Sequence, residues 1–265
     1  MPCGTSETPA WRRREVLLAL ASPALLAQAA PSAQQILVTA DRVRNGGRPF
    51  STLNTLTEYR NGAVASTLAL RIYSKLDAGT QQYRNLVRYV APAADAGKIM
   101  LMDGRLMWFY DPSSSATVRV SPQQRLTGQA SNGDVLTVNL AKDYAAKTAK
   151  REQVVDADRA DRACWRLDMT AANDRAVYAR LEHWIDAASS LPVKTKYYAD
   201  SGRLLKIVYY RAYQTVLGGT RPLEAIILDQ IDNRLTTKMR FSDFQAADIP
   251  DAWFQRDYLP HLGSR

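Results

Sequence analysis

The sequence predicts a mainly β protein: a single curved antiparallel sheet or partial barrel, with an N-terminal helix and a few short helices on its concave face. Three observations carry that expectation. Runs with period-two alternation of apolar and polar residues fill most of the chain after residue 50. Turn signals separate them at short intervals, at Asn61-Gly62, Asp103-Gly104, Asp200-Ser201-Gly202 and Gly218-Gly219. The runs number about ten to twelve, more than an open flat sheet holds without curling.

The elements follow in order. Ser32 caps a helix running to about Asn45, with Ile36, Leu37, Ala40 and Val43 on one side, and Gly46-Gly47 ends it. Strands are expected at 52–60 and 62–75; in the second, Leu68, Leu70 and Ile72 face one way and Thr67, Arg71 and Tyr73 the other. Strands at 81–90, 97–102, 105–110 and 116–120 come next. The hairpin from Gly97 to Pro112 is the most informative stretch, because its two runs are apolar on both faces around Asp103-Gly104. Such a strand is covered on both sides or lines a cavity. Residues 111–146 form a long irregular connection with a helical stretch near Val138 to Ala146, a length at which lids and binding loops occur. Further strands are expected at 148–155, 162–169, 176–185, 193–199, 203–213, 223–231 and 235–243. Almost no helix intervenes, so the pairing should be antiparallel and meandering.

The N-terminus reads as a cleavable export signal. Arg12-Arg13-Arg14 precedes the uncharged, Leu/Ala-rich residues 16–27, and Ala27-Gln28-Ala29 offers a small-x-small cleavage site. Arg13-Arg14-Glu15-Val16-Leu17 also resembles a twin-arginine signal. The expected organisation is residues 1–29 as the signal, cleaved near Ala29, and residues 30–265 as one domain in the periplasm. The segment carries three arginines against Glu7 and Glu15, so the formal charge of +9 becomes +8 on cleavage. Cys3 leaves with it. Cys164 stays alone and reads as a small buried hydrophobe.

Positive charge points to anionic neighbours such as a membrane surface, lipid headgroups or an acidic partner. Nucleic acid is disfavoured, since no clustered basic helix or aromatic RNA-binding motif accompanies the export signal. His183 and His261 lie apart from any second histidine or cysteine pair at zinc-ligand spacing, and no Gly-x-Ser-x-Gly occurs. Asp156, Asp158 and Asp161 lack the glycine and glutamate of a calcium loop and read as a solvated acidic turn. No cofactor, metal or catalytic residue is expected, and the chain is read as a non-enzyme.

Three blocks resemble the LolA-like periplasmic proteins of the outer-membrane lipoprotein-sorting class, in their longer branch. The first runs from Arg88-Tyr89-Val90-Ala91-Pro92 to Leu106-x-Trp108-x-Tyr110-x-Pro112. The second is Leu191-Pro192-Val193-Lys194 through Tyr197-Tyr198 to Lys206. The third is Phe241-x-x-Phe244 with Ile249-Pro250-Asp251, Phe254 and Leu259. The resemblance implies an unclosed β-barrel with helices as a lid over a hydrophobic cavity. It also implies binding of acyl chains, on lipids or lipoproteins, in transit between two membranes. The implied partners are an inner-membrane transporter of the RND type or an outer-membrane acceptor, with the carrier itself a monomer.

Candidate cavity-lining residues are Leu68, Leu70, Ile72, Met100, Met102, Leu106, Trp108, Tyr110, Val193, Tyr197, Ile207 and Tyr209. Which face of each strand looks inward is open, because a one-residue slip inverts the choice. Arg71, Arg84 and Arg88 are candidates for contact with headgroups or a partner. A different class of reading is an envelope-stress sensor contacting an anti-sigma factor. Such regulators carry a second domain after the lipid-binding one, for which a chain ending soon after Leu259 leaves no room. A hydrolase ranks last, for want of a nucleophile–base pair.

Overall fold

Thirteen strands form one antiparallel sheet with two free edges. The computed structural model describes Met1, Gly4 and residues 30–263. The chain divides into Met1–Ala30 and a unit from Pro31 onward. The export-signal expectation falls outside the described residues. Helix α1 (Ala33–Arg44) opens on a full capping box: Ser32 Oγ accepts from the Gln35 amide, and the Ser32 amide donates to Gln35 Oε1. Six strands follow: β1 (Phe50–Arg60), β2 (Ala63–Leu76), β3 (Tyr83–Ala91), β4 (Ile99–Asp103), β5 (Leu106–Asp111) and β6 (Ala116–Val120). A small pair, β7 (Arg125–Thr127) and β8 (Ala130–Ser131), stands apart from the sheet. After a 3-10 turn (Asn132–Val135) and the short α2 (Leu140–Asp143), the sheet resumes. It continues with β9 (Tyr144–Val155), β10 (Asp161–Ala171), β11 (Arg180–Asp186), β12 (Pro192–Tyr198), β13 (Leu204–Val216), β14 (Gly219–Asp229) and β15 (Leu235–Ala246). The end of the chain forms two 3-10 turns (Asp251–Phe254, Arg256–Tyr258) and α3 (Leu259–Gly263).

The strand order is two meanders joined at one seam. β1 to β6 step outward in one direction, β15 back to β9 in the other, and β1 pairs with β15. β6 and β9 are therefore the two edges, and the segment between them must cross from one edge to the other. It does so over the concave face. Ala130 and Val135 pack on Leu56, Leu68, Leu70, Ile72, Met100, Val208, Ile227 and Met239. The convex face of β3–β5 is covered by the end of the chain: Leu86, Ile99 and Leu101 pack against Ile249, Phe254, Leu259 and Leu262. β4 is thus buried on both faces, as its double apolar pattern requires.

Local departures from the sequence reading have physical causes. The β4–β5 turn has Gly104 and Arg105 at its centre, because Asp103 still pairs with Leu106. Only Gly104 takes positive φ (59°), the pattern of a type II′ turn. At Asn61-Gly62 both residues do (50° and 80°). The helical stretch near 138–146 shrinks to α2, since Tyr144 is already paired with Ala171. The strand expected from 176 starts at Arg180, and the preceding loop turns Tyr178 inward instead. Asp156 is buried rather than solvated: it accepts from the amides of Asp158 and Ala160 and from Arg162 Nε.

Candidate functional site

A cavity of about 170 Å³ lies between the concave face and the segment that crosses it. Its floor comes from β1 (Phe50, Thr52, Asn54), β12 (Tyr197), β13 (Tyr210), β14 (Arg221, Pro222) and β15 (Phe241, Phe244). Residues 133–138 and Leu140 form the roof, Arg44 and Asn45 at the end of α1 form one wall, and Tyr144, Val177, Tyr178 and Leu181 another. Phe241 and Phe244 would point to opposite faces of a regular strand. Asp243 between them adopts φ 49°, and the β1–β15 register shifts between Ser51 and Leu53, so both rings reach the cavity.

Polar brackets hold the roof. Asn85 Nδ2 donates to the Thr137 carbonyl (3.0 Å), and the Thr137 amide donates back to Asn85 Oδ1 (3.1 Å), so one side chain stands in for a strand. Gln82 does the same for Asn139, with its Oε1 2.7 Å from the Asn139 amide, and donates to Asp143 (2.8 Å). Arg44 Nη2 donates to the Val138 carbonyl at 2.7 Å and pairs with Asp41 at 2.8 Å. At the centre Asp134 pairs with Lys206 of β13, with 9% and 4% of their side chains exposed. Asp134 also accepts from Tyr178 Oη (2.8 Å) and the Ser131 amide (2.7 Å), and Lys206 donates to the Gln129 carbonyl (3.2 Å). Burial, then the Asp134 charge, pushes the Tyr178 hydroxyl far up, so it stays a donor.

The polar groups of the cavity are not all matched. Among the described residues, Asn54 Oδ1 and Arg221 Nε are the buried side-chain polar atoms without a hydrogen-bond partner, and both residues line this cavity. Arg221 is 7% exposed and forms no ion pair among the described residues. Its guanidinium lies over Phe50 (4.6 Å) and Phe244 (5.2 Å). Burial and the nearby Arg44 lower its pKa to about 10, so it remains a cation at neutral pH. Gly46 and Gly219 bring this end together: a Cβ on either would collide with the backbone of the other segment, so α1 ends against the β13–β14 hairpin.

The structure sorts the residues singled out in the sequence by face. Tyr197 lines the floor of the cavity, its hydroxyl 3.0 Å from that of Tyr210. Leu68, Leu70, Ile72, Met100 and Met102 lie on the same concave side but are packed under Ala130 and Val135, beside the cavity. Leu106, Trp108, Tyr110, Val193, Ile207 and Tyr209 do not line it, and that expectation is corrected. Trp108 and Tyr110 pack on the convex face under the end of the chain, and Leu106 shares their strand parity. Val193 joins the convex cluster of Cys164 and Trp184. Tyr209 stacks with Lys194 on that side, and Ile207 shares its parity, opposite Val208 and Tyr210. The register at β5 and β13 is one residue off the choice made from hydrophobicity alone.

Arg71, Arg84 and Arg88 are also placed on the convex side, and each is engaged within the chain. Arg71 pairs with Asp243 (2.6 Å), Arg84 donates to the Phe254 carbonyl (3.0 Å) and pairs with Asp103 (3.1 Å), and Arg88 donates to the Leu262 carbonyl (3.1 Å). The charged groups that do line the cavity, Arg44, Asp134, Asp143 and Arg221, carried no motif. Phe241-x-x-Phe244 was the one available signal, and it reads as two faces until the bulge is known. His183 is buried, its Nδ1 2.7 Å from Thr195 Oγ1, with no carboxylate within ion-pair distance among the described residues.

Three solved structures share this architecture. A LolA superfamily protein from Nitrosomonas europaea is 30% identical, over 86% of this chain and all of that one, with a TM-score of 0.75. A DUF1329 family protein from Desulfovibrio piger matches at 21% identity, 86% and 97% coverage and a TM-score of 0.73. A putative outer membrane lipoprotein-sorting protein domain from Vibrio parahaemolyticus matches at 16%, 86% and 98%, and 0.69. The last two speak for the fold alone. A family model described as an uncharacterized protein matches residues 81–261. Among curated proteins none matches.

Proposed function

The chain belongs to the LolA superfamily, and from that premise we propose that it is a periplasmic carrier of acyl chains, on a lipid or a lipoprotein, moving between the inner and outer membranes. The proposed donor or acceptor is a membrane transporter, such as an RND-type exporter. No helix among the described residues is long and apolar enough to cross a membrane. The proposed export signal, residues 1–29, would deliver the chain to the periplasm.

One observation carries the reading: a largely apolar cavity covered by a segment that polar groups bracket from Asn85, Gln82, Arg44 and Lys206, with Ala130 and Val135 packed on the core beside it. Water can replace polar brackets when the segment lifts, so the cost of opening is modest. The size of the cavity fits a closed state. A void of about 150 Å³ accepts benzene, so about 170 Å³ holds a stretch of roughly six carbons. A full acyl chain is then enclosed only when the 129–143 segment moves. Leu68, Leu70, Ile72, Met100 and Met102 lie directly under that segment and become the lining of the enlarged site.

Two measurements on the purified protein test this. Native mass spectrometry with organic extraction should show bound lipid or acylated peptide near one-to-one. Affinity for a series of alkanols from hexanol to hexadecanol should keep rising by about fourfold per CH₂, equivalent to about 0.8 kcal/mol each. An affinity that levels off near six carbons, with no co-purified lipid, means that the cover does not open and the carrier reading fails.

A further inference from the structure

The cavity carries a charge that nothing among the described residues answers. Of the polar groups lining it, Asp134 is committed to Lys206, Tyr178 and the Ser131 amide. Asp143 is committed to Arg175 (3.1 Å) and Gln82 (2.8 Å), and Arg44 to Asp41 and the Val138 carbonyl. Arg221 is left over. It is buried, it has no carboxylate within 4 Å among the described residues, and its Nε has no acceptor. The guanidinium carbon lies 4.6 Å from the Phe50 ring centroid and 5.2 Å from that of Phe244, contacts that use none of its N–H donors. A buried cation without a counter-charge is costly, and here it lines a largely apolar hollow, with Arg44 adding positive charge at the same end.

Resting on the acyl-carrier reading, we propose that Arg221 binds the oxyanion headgroup of a single-chain acyl amphiphile, a carboxylate or a phosphate, whose chain lies against Val135, Leu136, Leu181 and Tyr197. The fork of N–H donors suits two oxygens of either group. The missing acceptor at Nε is supplied by one of them. The orphaned Asn54 Oδ1 marks the same cavity as incomplete without a ligand. The site therefore selects anionic amphiphiles over neutral ones of equal chain length, a discrimination that the apolar lining alone does not give.

The test uses dodecanoate, dodecyl phosphate and dodecanol below their aggregation limits, titrated into the purified protein and its Arg221→Met and Arg221→Lys variants. The wild type should bind at least one of the two anions ten-fold or more tighter than dodecanol. Arg221→Met should lose that preference, and Arg221→Lys should keep part of it. Loss confined to dodecanoate assigns a fatty-acid carboxylate, and loss confined to dodecyl phosphate assigns a phosphate head. Replacing an unpaired buried charge by an apolar chain of similar length should leave the urea midpoint unchanged or raised, and the wild-type preference is a test that needs no variant. Equal binding of anion and alcohol by the wild type overturns the headgroup assignment and leaves the carrier reading standing. Binding of none of the three overturns both.

Discussion

The two faces of the sheet are both roofed by irregular segments, and the roofs are built from opposite materials. On the convex face, Ile249, Phe254, Leu259 and Leu262 are each at most 1% exposed, against Leu86, Ile99 and Leu101 at 0%. Polar contacts there sit at the rim, where Lys75, Arg84 and Arg88 donate to the carbonyls of Ile249, Phe254 and Leu262. On the concave face the roof rests on Asn85, Gln82, Arg44 and the Asp134–Lys206 pair as well as on the buried Ala130 and Val135, and a hollow remains beneath it. A roof fixed by apolar area cannot lift without exposing that area. A roof fixed by hydrogen bonds exchanges them for water. In the proposed carrier the convex cover stays in place and the concave one lifts.

The largest effect should come from breaking the convex roof. Phe254→Ala removes a fully buried ring and should cost about 3–5 kcal/mol of stability, read from the urea midpoint. It should leave alkanol binding and the hydrogen exchange of the Thr137 amide, on the other face, unchanged at low denaturant. Faster exchange at Thr137 would mean that the two roofs are coupled and that the contrast is false.

Breaking the concave roof should cost somewhat less and show elsewhere. Asp134→Ala leaves the Lys206 ammonium buried with the Gln129 carbonyl as its remaining hydrogen-bond acceptor, an expected loss of about 3 kcal/mol. Exchange at Thr137 should rise more than tenfold, while the amides of β4 stay protected. Asp134→Ala combined with Lys206→Met removes both charges and should recover to within about 1 kcal/mol of the wild type by the same urea assay. If the double variant is no better than the single one, the pair is not what holds the segment down.

How much of this was legible in the sequence follows the same division. Regular features declared themselves: the Ser32 cap, the Asn61-Gly62 turn, and the alternation of Leu68, Leu70 and Ile72 are local and obey fixed periods. The sheet order follows from short turns, but the long connection could not be resolved from composition. Its role becomes plain only from topology, since it joins the two free edges β6 and β9. The choice of face at Trp108, Tyr110 and Tyr209 was not legible, because a strand that is apolar on both sides gives no sign of which roof covers which side. Arg221 was invisible for a different reason. In a strand of alternating polarity an arginine looks like a solvated outer residue, and only the Phe50–Phe244 clamp, made possible by the bend at Asp243, turns it inward.

The smallest expected effect, and the one that sharpens the contrast with pH, concerns His183. It lies on the concave side against Thr195, whose hydroxyl also reaches Tyr210, and Arg44 adds positive charge nearby. Burial lowers its pKa to about 3, so in the folded protein it stays neutral where an unfolded chain, titrating near 6.5, takes up a proton. Unfolding therefore binds a proton as pH falls. Stability should be flat above about pH 7 and decline below 6.5 at up to about 1.4 kcal/mol per pH unit, about 2 kcal/mol by pH 5. Carboxylates whose pKa is lowered, such as Asp156 and Glu224, titrate below that window, whereas burial raises the Asp41 carboxyl, which acts in the opposite sense as pH falls. His183→Gln should flatten the slope of stability between pH 6.5 and 5, whatever its absolute stability. The convex apolar cluster contains no buried histidine among the described residues, so the acid loss should appear first as faster exchange at Thr137 and only later in β4. Simultaneous loss on both faces would mean that the sheet opens as one unit, and that the two roofs differ in chemistry but not in behaviour.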